Sequence, residues 1–284
     1  MPLEKEHCKE STIKNDQIVL SPEYIKKMSF RFKKITGTRF AAILGKSKYT
    51  SPFVCWMGMV NLYKDTMDKT LADAGNIIEP KIRDYVEQKL GQKYISYDPV
   101  KCKFDMFKDN KVFGGIPDGE PVNEEGAVDY SNDRMLLEIK TSSIDTIQYR
   151  FEKGNMSMVL NSDGVPKAKA GGEGKKRETW FEGNDVKIPE DYKFQVGLYL
   201  YLRHTTKACL CVGFLKLEDY AHPENFDINN REMRIVKIDL DLESFKTYID
   251  YATKWYETYI TKGISPVMTE ADRKWLNEQY SYIK

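Results

Sequence analysis

The chain has 284 residues, 41% hydrophobic and 31% charged, with a net charge of +1 at neutral pH. It is long enough to bury a large core as one or two domains, and too balanced in charge to coat nucleic acid generally, although a local basic groove is compatible with it. No apolar run approaches a membrane span, residues 1–20 carry no signal-peptide pattern, and the five cysteines (Cys8, Cys55, Cys102, Cys209, Cys211) are scattered, so the expectation is a cytoplasmic protein with buried, reduced thiols.

Residues 1–20 read as a polar N-terminal arm and 21–284 as a single domain. Ser21-Pro22-Glu23 is a helix start, with Ser21 as N-cap and proline in the first turn. A short helix is expected from Thr38 to Leu44, stopped by Gly45, and Ser51-Pro52 opens another with Phe53, Trp56, Met57 and Val60 on one face. Ile78, Ile82, Tyr85, Val86 and Leu90 are spaced for a helix that ends at Gly91. Residues 94–104, 111–117 and 134–141 then read as strands, and Ile144, Ile147 and Phe151 as a helix. Residues 161–185, rich in glycine and lysine, read as a long mobile loop. Tyr192, Gln195, Val196 and Tyr199 lie on one face of a helix whose other side carries Phe194, Leu198 and Tyr201, which marks it as buried. Strands at 208–217 and 233–240 and an amphipathic helix carrying Leu242, Phe245, Ile249, Ala252, Tyr256 and Tyr259 complete the order. The fold class is α/β, with a central mixed sheet flanked by helices.

The most informative segment is GGIPDGE at 114–120, followed by RMLLEIK at 134–140. In a strand, residues two apart share a face, so Glu138 and Lys140 point the same way and Ile139 points into the core. Glu-x-Lys also occurs at 79–81, 87–89 and 173–175, but of these only 138–140 lies in an apolar, strand-like run. Asp118 and Glu138 would supply hard oxygen ligands for Mg²⁺ facing a phosphodiester, and Lys140 a point charge that orients water or offsets transition-state charge. The bland reading is an ordinary hairpin with a Pro-Asp-Gly turn and a surface ion pair. Glu79, beside Ile78, and Gln195, an amide on an apolar helix, are candidates for the wall of such a site. Their bland readings are a first-turn acid that suits the helix dipole and a glutamine bonded to a backbone carbonyl. Arg31, Lys33 and Lys34 precede Thr36, Gly37, Thr38 and Arg39 at a helix start, a composition suited to phosphate.

These pieces, in this order, resemble the YqaJ-type viral recombinase nucleases, the family of phage lambda exonuclease. ITGTRFAAILGKSKYTSPFVCW (35–56) resembles the N-terminal signature, GNIIEPKIRDYVE (75–87) its Gly-x-x-x-Glu helix, and IPEDYKFQVGLYLYL (188–202) its Tyr-x-x-Gln-Val-x-x-Tyr helix. GGIPDGE and LLEIKTSS resemble the PD-(D/E)xK catalytic core. The resemblance covers roughly residues 30–215 and implies a restriction-endonuclease-like fold. It implies that Asp118, Glu138 and the carbonyl of Ile139 hold the metal, with Glu79 as an additional acid, Lys140 as the catalytic lysine and Gln195 in the water network. It further implies that Arg31, Thr38 and Arg39 bind DNA phosphate, Arg31 at the 5′ end. The cofactor would be Mg²⁺, with Mn²⁺ able to substitute, and the activity a 5′→3′ exonuclease on duplex DNA ends in phage-type recombination, in the cytoplasm of a bacterium or infected host. A single-strand annealing protein is the implied partner, and a trimeric ring the implied homo-oligomer. The chain departs from the pattern by a longer gap between Asp118 and Glu138 and by an insertion at about 161–185 that would remodel the rim of such a ring. An endonuclease of the same superfamily, used in restriction or repair, and a catalytically idle DNA-binding protein of this fold are the alternatives. An Fe–S cluster is not expected, because the cysteines lack clustered spacing.

Overall fold

The structure, a computed structural model, describes residues 10–64, 69–152 and 155–281. It opens with a hairpin of β1 (Ser11–Lys14) and β2 (Gln17–Leu20). The expected loose arm is corrected over this stretch. Ile18 and Leu20 alternate into the core, and the Ile18 and Leu20 amides donate to Ser265 Oγ and the Gly263 carbonyl, each at 2.8 Å. Residues 1–9 lie outside the described residues. Helices α1 (Pro22–Met28), α2 (Gly37–Ile43) and α3 (Pro52–Met59) follow. Ser21 and Ser51 cap α1 and α3 as the sequence suggests, each accepting an amide N–H at 3.1 Å. Helix α4 (Lys69–Leu90) begins well before Ile78 and runs through Pro80. The amide bond lost at Pro80 would have gone to the Asn76 carbonyl; both residues are exposed, which leaves that carbonyl open to solvent.

Next come β3 (Lys93–Ile95), β4 (Glu120–Val122), β5 (Leu136–Ser143), β6 (Tyr149–Glu152), β7 (Asn155–Met158), α5 (Lys175–Glu178), β8 (Phe181–Glu182) and β9 (Asp185–Val186). The last elements are α6 (Glu190–Leu202), β10 (Lys207–Leu215), α7 (Glu218–Ala221), β11 (Glu232–Asp239), α8 (Leu242–Trp255) and α9 (Glu270–Ser281). The central sheet has the order β11–β10–β5, with β5 parallel and β11 antiparallel to β10. Gly119 exchanges two backbone bonds with Leu137, at 2.9 and 3.1 Å, and so hangs the β3–β4 ribbon on the free side of β5. The result is the mixed α/β sheet expected. One side of β5 sends Leu137 and Ile139 against Ile78 and Ile82 of α4. The other sends Leu136 into a cluster with Val196, Tyr199 and Trp180. A third cluster joins Phe40, Trp56, Phe194 and Phe245 across α2, α3, α6 and α8.

Three expected elements are corrected. The strand at 94–104 shrinks to β3, because Asp98 caps a turn and Lys103 and Phe104 adopt the left-handed conformation. Residues 111–117 form no ladder beyond a bridge from Phe113 to Ile35, since two glycines and Pro117 interrupt it. The helix over Ile144–Phe151 is instead extended chain, which suits the β-branched Ile144, Thr146 and Ile147. Its partner is the insertion: Thr146 and Gln148 donate to the carbonyls of Gly172 and Lys167 at 2.8 Å, and Lys169 donates to Thr146 at 2.7 Å. Residues 161–185 are therefore anchored rather than a mobile loop. The buried Trp180 donates to Ser142 Oγ at 3.0 Å, and Arg177 grips Glu232 with two bonds, at 2.5 and 2.9 Å.

The long segment between Asp118 and β5 is held by one buried acid. Glu120 accepts from Tyr97 at 2.6 Å, Tyr130 at 2.7 Å and Arg203 at 2.7 Å, so three distant pieces of chain meet on its carboxylate. Removing that carboxylate strands a half-buried guanidinium and two tyrosine hydroxyls. Glu120→Ala should lower stability by about 3–5 kcal/mol in urea denaturation; a change below about 1 kcal/mol would show that the network carries little of the fold.

Candidate active site

Glu138 is fully buried on β5, where a carboxylate has no water to solvate it. Its Oε1 accepts from Lys140 Nζ and from Gln195 Nε2, the latter at 2.5 Å. Its Oε2 is buried with no hydrogen-bond partner. Asp118 sits opposite, oriented by the Ile139 amide, which donates to Oδ2 at 2.8 Å. Lys140 Nζ lies 3.9 Å from that same oxygen and 5.3 Å from the centre of the Tyr192 ring. Asp118, Glu138, Lys140 and Gln195 therefore converge, as the strand spacing and the amide on α6 suggested.

Glu79 stands at the edge of this cluster, in the middle of α4 rather than in its first turn. Its carboxylate is taken by Arg83 at 2.7 Å, one turn along the helix. Among the described residues, no three of His, Cys, Asp and Glu are grouped closely enough to hold a metal ion by themselves.

The electrostatics are those of acids crowded together. Burial raises the Glu138 pKa well above the carboxylate range, Asp118 adds to this, and Lys140 opposes it. Burial and then Asp118 raise Glu79 to about 6. Burial works against the charge on Lys140, but Glu138 and Asp118 together outweigh it and hold the ammonium protonated. The donor set fits a hard divalent cation: it is all oxygen, mutually repelling, and has one buried lone-pair oxygen unclaimed. Mg²⁺ keeps several waters and needs few protein carboxylates. Asp118, Glu138 and the Ile139 carbonyl are the residues that would hold it.

Two close approaches fix this geometry. A Cβ on Gly37, the first residue of α2, would come within 2.3 Å of Gln195 Cγ. A Cβ on Gly115 would come within 2.7 Å of the Tyr199 hydroxyl, so α6 also braces the turn that leads to Asp118. Sequence reasoning counted Tyr192 and Tyr199 as part of a buried helix face, took Gly37 only as part of a phosphate-suited helix start and passed over Arg83, for which the spacing of Glu79 and Arg83 was a usable signal. Of the expected phosphate contacts, Arg39 is half-buried, donates to the Lys34 carbonyl at 2.8 Å and has no carboxylate partner among the described residues. Burial and the neighbouring Arg39 lower the pKa of Lys33, so two cations share this spot. Thr38 is exposed on α2. Arg31 is exposed with its guanidinium 5.2 Å from the centre of the Phe30 ring, and touches no residue of the cluster among the contacts described. Cys55 lies in one core cluster and Cys209 and Cys211 in another. Burial pushes the three thiols up to about 12, 11 and 12 respectively.

Residues 28–208 match the family described as YqaJ-like viral recombinase domain. The chain belongs to this family. Every member of the acidic cluster lies inside the matched span of the YqaJ-like domain. Two relatives extend the likeness over nearly the whole chain. The protein MG373 of Mycoplasma genitalium is 50% identical over 277 residues, covering 96% of this chain and 97% of its own. Its Mycoplasma pneumoniae homolog is 42% identical over 278 residues, covering 98% and 99%. Among solved structures, an alkaline exonuclease from Laribacter hongkongensis is similar with 12% identity and a TM-score of 0.48, covering 93% of this chain and 100% of that one. A phage-related exonuclease from Haemophilus somnus has 11% identity and a TM-score of 0.46, covering 91% and 100%. No described helix is long and apolar enough to cross a membrane.

Two outcomes follow for the YqaJ-like domain. Gly37→Ala should push Gln195 off Glu138 and destabilise by about 1–3 kcal/mol, as overpacking does; an unchanged urea midpoint would mean the helices separate without strain. The second concerns pH. The folded chain binds protons on Glu79 and Glu138 more tightly than the unfolded chain, so metal-free stability should fall as pH rises from the usual carboxylate range through about 6 and beyond. Mg²⁺ should restore stability above that range and do little below it, read as thermal midpoints with and without the ion.

Proposed function

We propose that this chain is a Mg²⁺-dependent deoxyribonuclease, acting as a 5′→3′ exonuclease on double-stranded DNA ends. The observation that carries the reading is the buried Glu138 carboxylate, held by Lys140 and Gln195 beside Asp118 with one oxygen unclaimed, inside a viral-recombinase domain. The bound cation would supply Lewis acidity toward a phosphoryl oxygen and a water acidic enough to attack near neutral pH. The Ile139 amide keeps Asp118 turned toward the scissile phosphate. Gln195 holds Glu138 in place and leaves its second oxygen free. Lys140 keeps its proton throughout and offsets charge on the pentacovalent phosphorus. Lys33 and Arg39, cations sharing one half-buried spot, support binding of DNA phosphate beside α2, with Thr38 adding a hydroxyl and Arg31 reaching the 5′ end. Mn²⁺ should replace Mg²⁺, since both accept oxygen ligands. The product strand would pass to a single-strand annealing protein, and a ring of three copies is the assembly this reading implies.

The test gives the full chain linear duplex with 5′-phosphate or 5′-hydroxyl ends and covalently closed circles, each with Mg²⁺ or EDTA. Linear duplex should be degraded only with Mg²⁺, 5′-phosphate should be preferred, and circles should survive. Asp118→Ala and Lys140→Ala should each lose on the order of 10²-fold or more in rate. Cut circles would favour the endonuclease, and DNA binding without cleavage the idle protein. Full activity in both variants would overturn the site.

A further inference from the structure

The insertion does more than lengthen the chain, because it reaches the mouth of the acidic cluster. Trp180 stacks on Tyr192 with ring centres 5.4 Å apart, and Tyr192 is the ring beneath Lys140. The turn between α2 and α3 comes near the same group through Tyr49. Ser47 Oγ accepts from the amides of Tyr49 and Thr50, both at 3.2 Å, and holds Tyr49 outward with 75% of its surface exposed. Burial raises the Tyr192 pKa, Lys140 opposes this, and Asp191 and the Tyr49 hydroxyl add to it, so Tyr49 lies within electrostatic reach of that ring. Lys176 of α5 completes the group. Its Nζ donates to the Tyr49 hydroxyl at 3.3 Å and lies 6.0 Å from the ring centre. Its helix neighbours are engaged, Lys175 with Glu178 at 2.9 Å and Arg177 with Glu232. Lys176 meets no carboxylate among the described residues.

A contact between an exposed tyrosine and a half-buried lysine contributes little to stability. It is not needed as a tether, because Trp180 and Arg177 already anchor the insertion. What it does present is an open aromatic face with an ammonium at its edge, linked to Lys140 through Tyr192 and Trp180. Bases stack on such faces whatever their identity, and the ammonium takes the adjoining phosphate.

We propose that Tyr49 and Lys176 form a base-and-phosphate contact for an unpaired nucleotide of the scissile strand, so that a single strand of DNA occupies the mouth of the site. This rests on the nuclease reading above. Tyr49 is the stacking platform and Lys176 the phosphate contact; both are positioning residues and neither takes part in the chemistry.

The experiment uses the full chain and a short single-stranded oligonucleotide with 2-aminopurine at its 5′ end, in EDTA so that nothing is cleaved. The parent should bind and quench the fluorescence. Tyr49→Ala should abolish the quench and weaken binding on the order of 10-fold, with an unchanged thermal midpoint, whereas Tyr49→Phe should retain both, because the ring and not the hydroxyl is used. Lys176→Gln should reduce the salt dependence of binding by about one phosphate contact. Quenching and affinity in Tyr49→Ala equal to the parent's would overturn the proposal, as would a parent that does not bind the strand. Giving the parent Mg²⁺ and a linear 5′-phosphorylated duplex in a parallel reaction separates the two readings: Tyr49-dependent quenching of the oligonucleotide with the duplex left uncut sinks the nuclease reading alone, and duplex cleavage with a Tyr49→Ala variant that binds and quenches as the parent sinks this one alone.

Discussion

A carboxylate buried on a central strand has to be answered by its surroundings, and the arrangement around Glu138 is that answer. Lys140 returns from the same face of β5 to neutralise it, and Gln195 donates from α6. The amide can reach only because α2 opens with a residue that has no side chain. The Ile139 amide, between the two charged residues, turns Asp118 toward the same point. The acids nonetheless repel one another, which leaves the cluster short of positive charge and Glu138 Oε2 without a partner. A hard divalent cation, as proposed above, would relieve both conditions at once.

Much of the rest of the fold serves that strand. Leu137 and Ile139 bury one side of it on α4, and Leu136 buries the other beneath α6, so β5 is covered on both faces, as a strand with a parallel neighbour tends to be. The Gly119–Leu137 bridge attaches the Asp118 turn directly to the strand. Glu120, one residue further on, locks the long connection through Tyr97, Tyr130 and Arg203. The insertion completes the wall, with Trp180 fixed to Ser142 on β5 and stacked on Tyr192.

Local pattern made a good part of this legible in the sequence. Serine-proline pairs marked two helix starts, strand alternation placed Glu138 and Lys140 on one face, and an amide on an otherwise apolar helix pointed to Gln195. Each depends on neighbours in sequence, where backbone geometry alone dictates which side chains meet. The errors lie where distant chain overrode that pattern. Ile144, Ile147 and Phe151 have helical spacing, but residues 167–172 supply strand partners that no short window contains. The N-terminal segment looked polar and loose because its anchors, Gly263 and Ser265, lie at the other end of the chain.

The sequence by itself determined the α/β class and the shared strand face of Glu138 and Lys140, because strand and helix periodicities are local, while the order of its motifs, by resemblance, pointed to the family and to Asp118, Glu79 and Gln195. Only the tertiary structure decided how those residues are engaged. It gave Glu79 to Arg83, left one oxygen of Glu138 unclaimed, pressed Gly37 on Gln195, and turned a glycine-rich stretch into a wall of the site. These are outcomes of burial and close approach between elements far apart in the chain, and burial has no signature in residue spacing until the elements have packed.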